Sequence, residues 1–278
     1  MSSKATRNSL VAIAAFACML PIAAQAAWDT RAPENAFVYR GNPIDPRCMR
    51  ILTSPKVDAP TQIDLADCTK PGPINLRDRE FWVLTKGTPL GTAFDSYEVL
   101  ARDGARFIIS SDTNDDGFLM SSYLTILHKR DKTLVVDEKL MPGKYTCDFL
   151  PPTAKVRGRH LTWIESLAPY DLLELGGLTM PKTDLDDKIG CWATREIDYD
   201  LDTGRVRTTS AWLDFFQHGA EHGGPIRDMQ GSTERFTYQH CFNAYFNGLI
   251  AKGDADFDAD GIKRFADGFV STCQVKRP

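Results

Sequence analysis

The stretch Trp192–Phe216, which reads WATREIDYDLDTGRVRTTSAWLDFF, decides the fold class of this chain. Its two arms, Trp192–Asp200 and Arg205–Phe216, alternate in polarity and are rich in the β-branched and aromatic residues that strands favour. The intervening Leu201–Gly204 contains the Asp, Thr and Gly that tight turns prefer. The pattern therefore predicts an antiparallel β-hairpin.

Shorter runs of the same character recur through the middle of the chain, and turn residues such as Asp103-Gly104 separate them. These runs are Glu80–Lys86, Tyr97–Ala101, Arg106–Ser110, Ser121–His128, Thr133–Asp137 and His160–Glu165. The proline-rich segment before them is expected to form irregular or edge structure. We therefore expect a mainly antiparallel β domain, a sandwich or an irregular barrel, over residues 27–235.

The periodicity changes near residue 236, where apolar residues begin to recur at helical spacing. The two apolar sets are Cys241, Phe242, Tyr245, Phe246, Leu249 and Ile250, and then Ile262, Phe265, Ala266 and Phe269. Gly253 lies between them, where a glycine that ends a helix is expected. The pattern predicts a C-terminal α-helical hairpin over residues 236–278, packed on the β domain.

The N-terminus has the order of a secretory signal peptide: Lys4 and Arg7, an apolar run over Leu10–Leu20, and the small-residue stretch Ala24-Gln25-Ala26. The apolar run is shorter than the roughly 20 residues that a membrane-spanning helix needs, and no later run is longer. We expect residues 1–26 to be a signal peptide that is removed, and the mature protein to be periplasmic or secreted without a membrane span.

Removal of this segment would take away Cys18 and change the cysteine count from seven to six, an even number that permits complete pairing. Exported proteins commonly pair their cysteines as disulfides. An antiparallel helical hairpin brings Cys241 next to Cys273, so this pair is the first expectation. Proximity in sequence suggests two further pairs. They are Cys48 with Cys68 and Cys147 with Cys191.

The same removal would shift the formal net charge from −4 to −6, because Lys4 and Arg7 would be lost. Nucleic acids and anionic membranes are bound through clustered Lys and Arg, and the sequence contains no such cluster. Nucleic acid is therefore not an expected partner. The sequence also lacks a phosphate-binding loop, a dinucleotide fingerprint and a G-x-S-x-G nucleophile motif.

The segment His218-Gly219-Ala220-Glu221-His222 matches H-x-x-E-H, and in this respect it resembles the inverted zinc peptidases. The two histidines of that motif bind zinc from one face of a helix. Glycine and proline residues within and after this segment argue against a helix, and a glycine-rich surface loop is the preferred interpretation. A noncatalytic metal site that uses His218 and His222, with His240 as a third ligand, is the alternative.

The segment Asp112–Gly117 has the oxygen-rich composition of a calcium loop, with candidate ligands Asp112, Asn114 and Asp116. The twelfth position of such a loop normally carries a glutamate, and here it is Tyr123. Asn, Asp and Gly are also the residues that an ordinary β-turn prefers. The segment is accordingly interpreted as a turn, with calcium as the alternative.

A second acidic segment between the predicted C-terminal helices has the spacing of an EF-hand loop, and its candidate ligands are Asp256, Asp258, Asp260 and Asp267. Lys263 and Arg264 occupy positions that do not suit such a loop. The preferred interpretation is that Asp258 caps a helix that begins near Ala259, because carboxylates are favoured at helix N-termini. No cofactor is expected, and calcium at one of these acidic segments is the alternative.

Four features together favour an exported noncatalytic binding protein. They are the expected export from the cytoplasm, the expected disulfides, the β-rich composition and the missing catalytic motifs. Its expected partner is another protein, which it recognises or inhibits in the periplasm or outside the cell, or an envelope component. The alternative is a periplasmic or secreted hydrolase that acts on envelope or extracellular polymer, with or without the help of a metal ion. For that alternative, Glu165 and Glu196 are an example of a carboxylate pair.

Overall fold

The computed structural model describes residues 28–53, 59–68, 73–77, 79–88, 91–114, 120–145, 154–181, 184–185, 193–213, 236–254 and 256–276. In these ranges the strands are β1 (Val38–Tyr39), β2 (Asn42–Pro43), β3 (Gln62–Asp64), β4 (Asn75–Arg77), β5 (Glu80–Thr88), β6 (Gly91–Asp103), β7 (Arg106–Asn114), β8 (Met120–Arg130), β9 (Thr133–Tyr145), β10 (Lys155–Arg157), β11 (His160–Leu167), β12 (Ala193–Asp200), β13 (Arg205–Leu213) and β14 (Asp256–Phe257). The helices are α1 (Pro46–Thr53), α2 (Leu65–Cys68), α3 (Pro169–Leu175), α4 (Gln239–Lys252) and α5 (Ala259–Cys273).

Twelve of the described strands form two large antiparallel sheets, and β1 pairs with β2 in a separate two-stranded sheet. The first sheet has seven described strands in the order β3-β9-β8-β7-β6-β5-β4, and the second has five in the order β10-β11-β12-β13-β14. Successive side chains of a strand point to opposite faces, so each sheet can contribute to separate cores. The hairpin predicted from Trp192–Phe216 is confirmed, because β12 and β13 pair on either side of the turn Leu201–Gly204.

One core lies between α1 and the first sheet. Phe107 and Ile109 of β7 pack there with Met49 and Leu52 of α1, and all four side chains are buried. The Cys48–Cys68 disulfide links α1 to α2 beside this core, with 5.3 Å between the Cα atoms. This pairing was predicted and is confirmed. Helix α1 itself lies in the proline-rich segment that was predicted to be irregular.

The opposite face of the first sheet packs on the second sheet. Ile108 of β7 and Leu124 of β8 belong to the same buried cluster as Trp163 of β11 and Ile197 of β12. Each of these side chains is at least nine-tenths buried. Two antiparallel sheets with a shared apolar layer agree with the predicted β-rich fold class.

The third core joins the far end of the second sheet to helices α3, α4 and α5. Its centre contains Phe242 and Phe246 of α4 with Phe265 and Phe269 of α5, which pack through aromatic edge and face contacts. The predicted C-terminal helices are confirmed, as is the Cys241–Cys273 disulfide, whose Cα atoms are 5.8 Å apart. Cys147 and Cys191 lie outside the described residues.

Close contact between α3 and α5 depends on Gly176, which follows α3 directly. A Cβ atom at this position would lie 2.5 Å from the Cβ of Ala266 and 2.8 Å from the backbone oxygen of Ile262. We therefore expect Gly176→Ala to lower the free energy of unfolding by about 1–3 kcal/mol, because overpacking forces the helices apart. Urea unfolding monitored by circular dichroism would measure this loss.

Gly248→Ala is the matched control, because a Cβ atom at Gly248 in α4 meets nothing within 4 Å. Replacing a glycine within a helix by alanine is worth about 0.5–1 kcal/mol in the stabilising direction. The two variants should thus shift the midpoint in opposite directions. Equal stability of Gly176→Ala and the parent protein would contradict the close approach of α3 to α5.

Candidate functional site

The face of the second sheet that points away from the first sheet carries two cross-strand rows of polar side chains. The strand register places Arg157, His160, Asp200 and Arg205 in one row and Lys155, Thr162, Asp198 and Arg207 in the next. We call these eight residues, together with Ile164 and Glu196 of the following row, the outer face. In each row the flanking strands β10 and β13 contribute a cation, and β12 contributes a carboxylate.

At the centre of the outer face, Asp198 accepts two hydrogen bonds. The Nδ1 atom of His160 lies 2.8 Å from its Oδ1 atom, and the Nη2 atom of Arg207 donates to its Oδ2 atom over 2.6 Å. Partial burial raises the pKa of Asp198, but the bonds from Arg207 and His160 outweigh burial and leave the pKa below its ordinary value. Asp198 is therefore a carboxylate at neutral pH. It fixes the orientation of both neighbouring side chains.

Asp200 holds the turn at one end of the outer face. Its Oδ1 atom accepts hydrogen bonds from the backbone N–H groups of Asp202 and Thr203, at 3.1 Å and 3.0 Å. Its Oδ2 atom lies 3.4 Å from the Nε atom of Arg159. Desolvation raises the pKa of Asp200, but the turn hydrogen bonds and Arg159 reverse this effect and lower it overall. The carboxylate of Asp200 is thus already bound by groups of the protein itself.

Three cations of the outer face differ from Arg207, which is paired with Asp198. Within the described ranges, Lys155, Arg157 and Arg205 contact no carboxylate, and all three are exposed. Together with Arg207 they give the outer face four cations, against the three carboxylates of Glu196, Asp198 and Asp200. Ile164, with 38% of its surface exposed, adds an apolar contact beside the second charged row. This arrangement can bind a negatively charged surface that also offers apolar groups.

The opposite face of the same strands carries a partly buried ion pair. Nε and Nη2 of Arg195 donate to Oε2 of Glu165 over 3.0 Å and 2.7 Å, and Glu165 is 7% exposed. Glu196 is paired with Ile164 and therefore points to the outer face. Glu165 and Glu196, named above as an example of a carboxylate pair, thus lie on opposite faces of the sheet.

A second group of polar residues lies on the face of the first sheet that packs toward the second sheet. Ser96, Asp112 and Ser122 are direct cross-strand neighbours on β6, β7 and β8, and all three are buried. The Ser122 hydroxyl donates a hydrogen bond to Asp112. Burial raises the pKa of Asp112 to about 7, against the lowering effect of that hydrogen bond.

The position of Asp112 changes the interpretation of the first acidic segment. Asp112 and Asn114 were expected in a turn, but both belong to β7, and Asn114 pairs with Met120. Since they are separated by one residue of a strand, they share one sheet face. Asp116 lies outside the described residues. The calcium interpretation of this segment remains untested.

The second acidic segment begins a helix, as the preferred interpretation predicted. The Oδ1 atom of Asp258 accepts a hydrogen bond from the backbone N–H of Gly261 over 2.7 Å, and α5 begins at Ala259. Asp256 forms part of β14, while Asp260 and Asp267 lie in α5 and are exposed. Among the described residues, no group of three or more His, Cys, Asp or Glu side chains is arranged to hold a metal ion.

Of the three candidate histidine ligands, the structure describes only His240. His218 and His222 lie outside the described residues, so their role as zinc ligands or as a surface loop stays a prediction. His240 is exposed in the first turn of α4. In the described portion of the chain, no helix is both long and apolar enough to span a membrane.

Comparisons with known proteins add no further assignment. No family model, curated protein or solved structure matches the chain. The outer face is therefore identified from its geometry alone. Sequence reasoning had located the hairpin but did not identify His160 and Asp198 as neighbours. The signal available was the hairpin register, which places Asp198 opposite Arg207.

Proposed function

We propose that this protein is an exported, noncatalytic binding protein that recognises an acidic surface of another protein through its outer face. The proposal depends on three exposed cations, Lys155, Arg157 and Arg205, which contact no carboxylate among the described residues of this negatively charged chain. Complementary charges increase association rates and select partners of opposite sign. Ile164 would supply an apolar contact beside the charged rows.

Export is supported by the two disulfides and by the predicted signal peptide. Disulfides persist in oxidising compartments and are rare in the cytosol. The Cys48–Cys68 and Cys241–Cys273 bonds close segments of 20 and 32 residues, in two different cores. A protein stabilised in this way is suited to the periplasm or to the extracellular medium.

The proposal can be tested by site-specific photocrosslinking in the producing cell. A photoreactive phenylalanine analogue would replace Thr162 at the centre of the outer face, and the control would carry it at the exposed Lys263 of α5. We expect one protein to crosslink at position 162 but not at position 263. Mass spectrometry would identify that protein, and its purified form would be used for affinity measurements.

Charge reversal of the outer face should then weaken binding of the purified partner. We expect Arg157→Glu with Arg205→Glu to raise Kd by about tenfold or more and to reduce its salt dependence. Lys263→Glu with Arg264→Glu makes the same charge change on α5 and should leave Kd within about twofold. An unchanged Kd in the outer-face variant would contradict the proposal.

The hydrolase alternative is favoured by a different observation. Glu98 lies two residues from Ser96 on β6 and so shares the sheet face of Asp112, and burial raises the pKa of both carboxyl groups. A carboxyl group that retains its proton near neutral pH is suited to general acid catalysis. Release of soluble sugars or peptides from purified cell envelope, abolished in Asp112→Asn, would favour this alternative over binding.

A further inference from the structure

Among the described strands, the edge of the second sheet at β13 is only partly paired. Strand β12 pairs with β13 along its whole length, from Ala193 opposite Leu213 to Asp200 opposite Arg205. On the other side, β14 pairs only with Ala211 and Trp212. Among the described strands, none pairs with Arg205–Ser210 on this side. Half of the backbone N–H and C=O groups of an edge strand point away from its sheet and are available to another strand.

The side chains along this edge are exposed on both faces of the sheet. Arg205 and Arg207 point to the outer face, and the side chain of Arg207 has 61% of its surface exposed. Val206 between them points to the opposite face and is 57% exposed. A strand added here would place its own side chains beside these at a spacing of about 4.8 Å. Carboxylates would suit the outer face, and apolar groups would suit the face of Val206.

The charge of the edge argues against a second copy of this chain as the occupant. Two β13 edges pairing with each other would bring Arg205 and Arg207 of one copy beside the same residues of the other. Like charges directly opposite each other across a strand pair are destabilising. A segment with acidic side chains would instead be attracted, because Arg205 contacts no carboxylate in the described part of the chain.

A β-bulge limits the length of this edge. Thr208 pairs with Ile197 and Ser210 pairs with Glu196, so Thr209 is an extra residue in β13. A bulge bends its strand and increases the local twist, which interrupts regular pairing. The uninterrupted part of the edge is therefore the short segment Arg205–Thr208.

We propose that the Arg205–Thr208 edge of β13 binds an extended acidic segment of the partner protein by β-strand addition. This inference rests on the proposed function and specifies how the partner is held. Backbone hydrogen bonds would provide pairing that does not depend on sequence, while Arg205, Arg207 and Val206 would select for alternating acidic and apolar residues.

The probe for this proposal is a synthetic peptide, acetyl-Glu-Val-Glu-Val-Glu-Val-Glu-amide, titrated into the ¹⁵N-labelled mature protein. We expect saturable shifts of the backbone amide signals of Arg205–Thr208 and slower hydrogen exchange at the amides that point outward. The same peptide N-methylated at every interior residue keeps its charge but cannot donate the strand hydrogen bonds. Its Kd should be higher by about tenfold or more.

Two protein variants test whether the charge of the β13 edge contributes to peptide binding. Arg205→Glu should raise the Kd of the peptide by about tenfold, and it breaks no described ion pair. Lys263→Glu makes the same charge change on α5, away from the outer face, and should leave the Kd of the peptide within about twofold. Melting temperatures would confirm that both variants are folded.

Each remaining outcome is informative. Equal affinity for the two peptides would overturn strand addition, but it would leave recognition through the outer-face charges intact. Absence of peptide binding to the unmodified protein would also overturn strand addition. If strand addition holds while no protein crosslinks at position 162, the proposed function fails separately from this inference.

Discussion

Replacing Asp112 by asparagine is expected to stabilise the folded protein at pH 8 and to remove a pH dependence of stability that the parent protein shows. Burial raises the pKa of Asp112 from 3.8 to about 7 in the folded state. Asparagine has nearly the same size and can still accept the hydrogen bond from Ser122. It carries no charge that would have to be buried.

The sign follows from proton linkage. Because the folded-state pKa lies above the unfolded value, the contribution of Asp112 is fully present below pH 3.8 and is lost as the pH rises toward about 7. One pKa unit corresponds to about 1.4 kcal/mol, so the total loss is at most roughly 4 kcal/mol. Urea unfolding at a series of pH values between these limits would measure the loss in both proteins.

Asp131→Asn provides the control, because Asp131 is exposed in the turn between β8 and β9. Exposed substitutions of this kind usually change stability by less than about 0.5 kcal/mol. Asp112→Asn could instead keep the pH dependence of the parent protein or be less stable at pH 8. Either result would show that the buried carboxyl group of Asp112 is not the source of the pH-dependent stability.

Removing the Cys241–Cys273 bond should produce a loss of similar size. The two cysteines are separated by 32 residues and connect the first turn of α4 to the end of α5. Loop-closure entropy assigns about 4 kcal/mol to a bond across a segment of this length. We therefore expect the double variant Cys241→Ala, Cys273→Ala to unfold at a lower denaturant concentration, with the C-terminal helices losing hydrogen-exchange protection first.

The matched comparison is the same pair of proteins in the presence of a thiol reductant. There the parent protein loses its disulfides too, and the difference in unfolding free energy should largely disappear. A double variant that loses less than about 1 kcal/mol without reductant would show that packing of α4 on α5 suffices, and that the bond adds little.

The parts of the fold that sequence predicted are those determined by local patterns. The β12–β13 hairpin, helices α4 and α5, and the Asp258 cap each follow from residues close together in sequence. The two described disulfides were also predicted. The antiparallel helices indicated Cys241–Cys273, and proximity in sequence indicated Cys48–Cys68. Local periodicity is the strongest signal that a single sequence carries.

The parts that sequence did not predict depend on tertiary contacts. Helix α1 is short and begins at Pro46, and it is stabilised by burial of Met49 and Leu52 and by the Cys48–Cys68 bond. Isolated helices of this length are marginal in water. Asp112 begins a segment whose composition is typical of a turn, but its cross-strand pairing with Ser96 and Ser122 places it in a strand.

The outer face was not predicted for the same reason. The hairpin alone places Asp198 opposite Arg207, but His160 is 38 residues away from Asp198 in sequence. Only the pairing of β11 with β12 brings them together. No short-range pattern specifies which strand becomes the neighbour of a hairpin.

The Glu165–Arg195 ion pair helps to determine how strand β11 aligns with strand β12. Sliding β11 along β12 by two residues would preserve which side chains point inward, so hydrophobicity alone discriminates poorly between such alignments. After that slide, Glu165 would face Ala193 or Ile197, and the low-polarity interior would hold separated charges. Breaking a fully buried pair costs about 3–5 kcal/mol, and separating this partly buried pair would cost less but still disfavour the shifted alignment. We therefore infer that this ion pair favours the observed alignment of β11 with β12, the same alignment that places His160 beside Asp198 on the outer face.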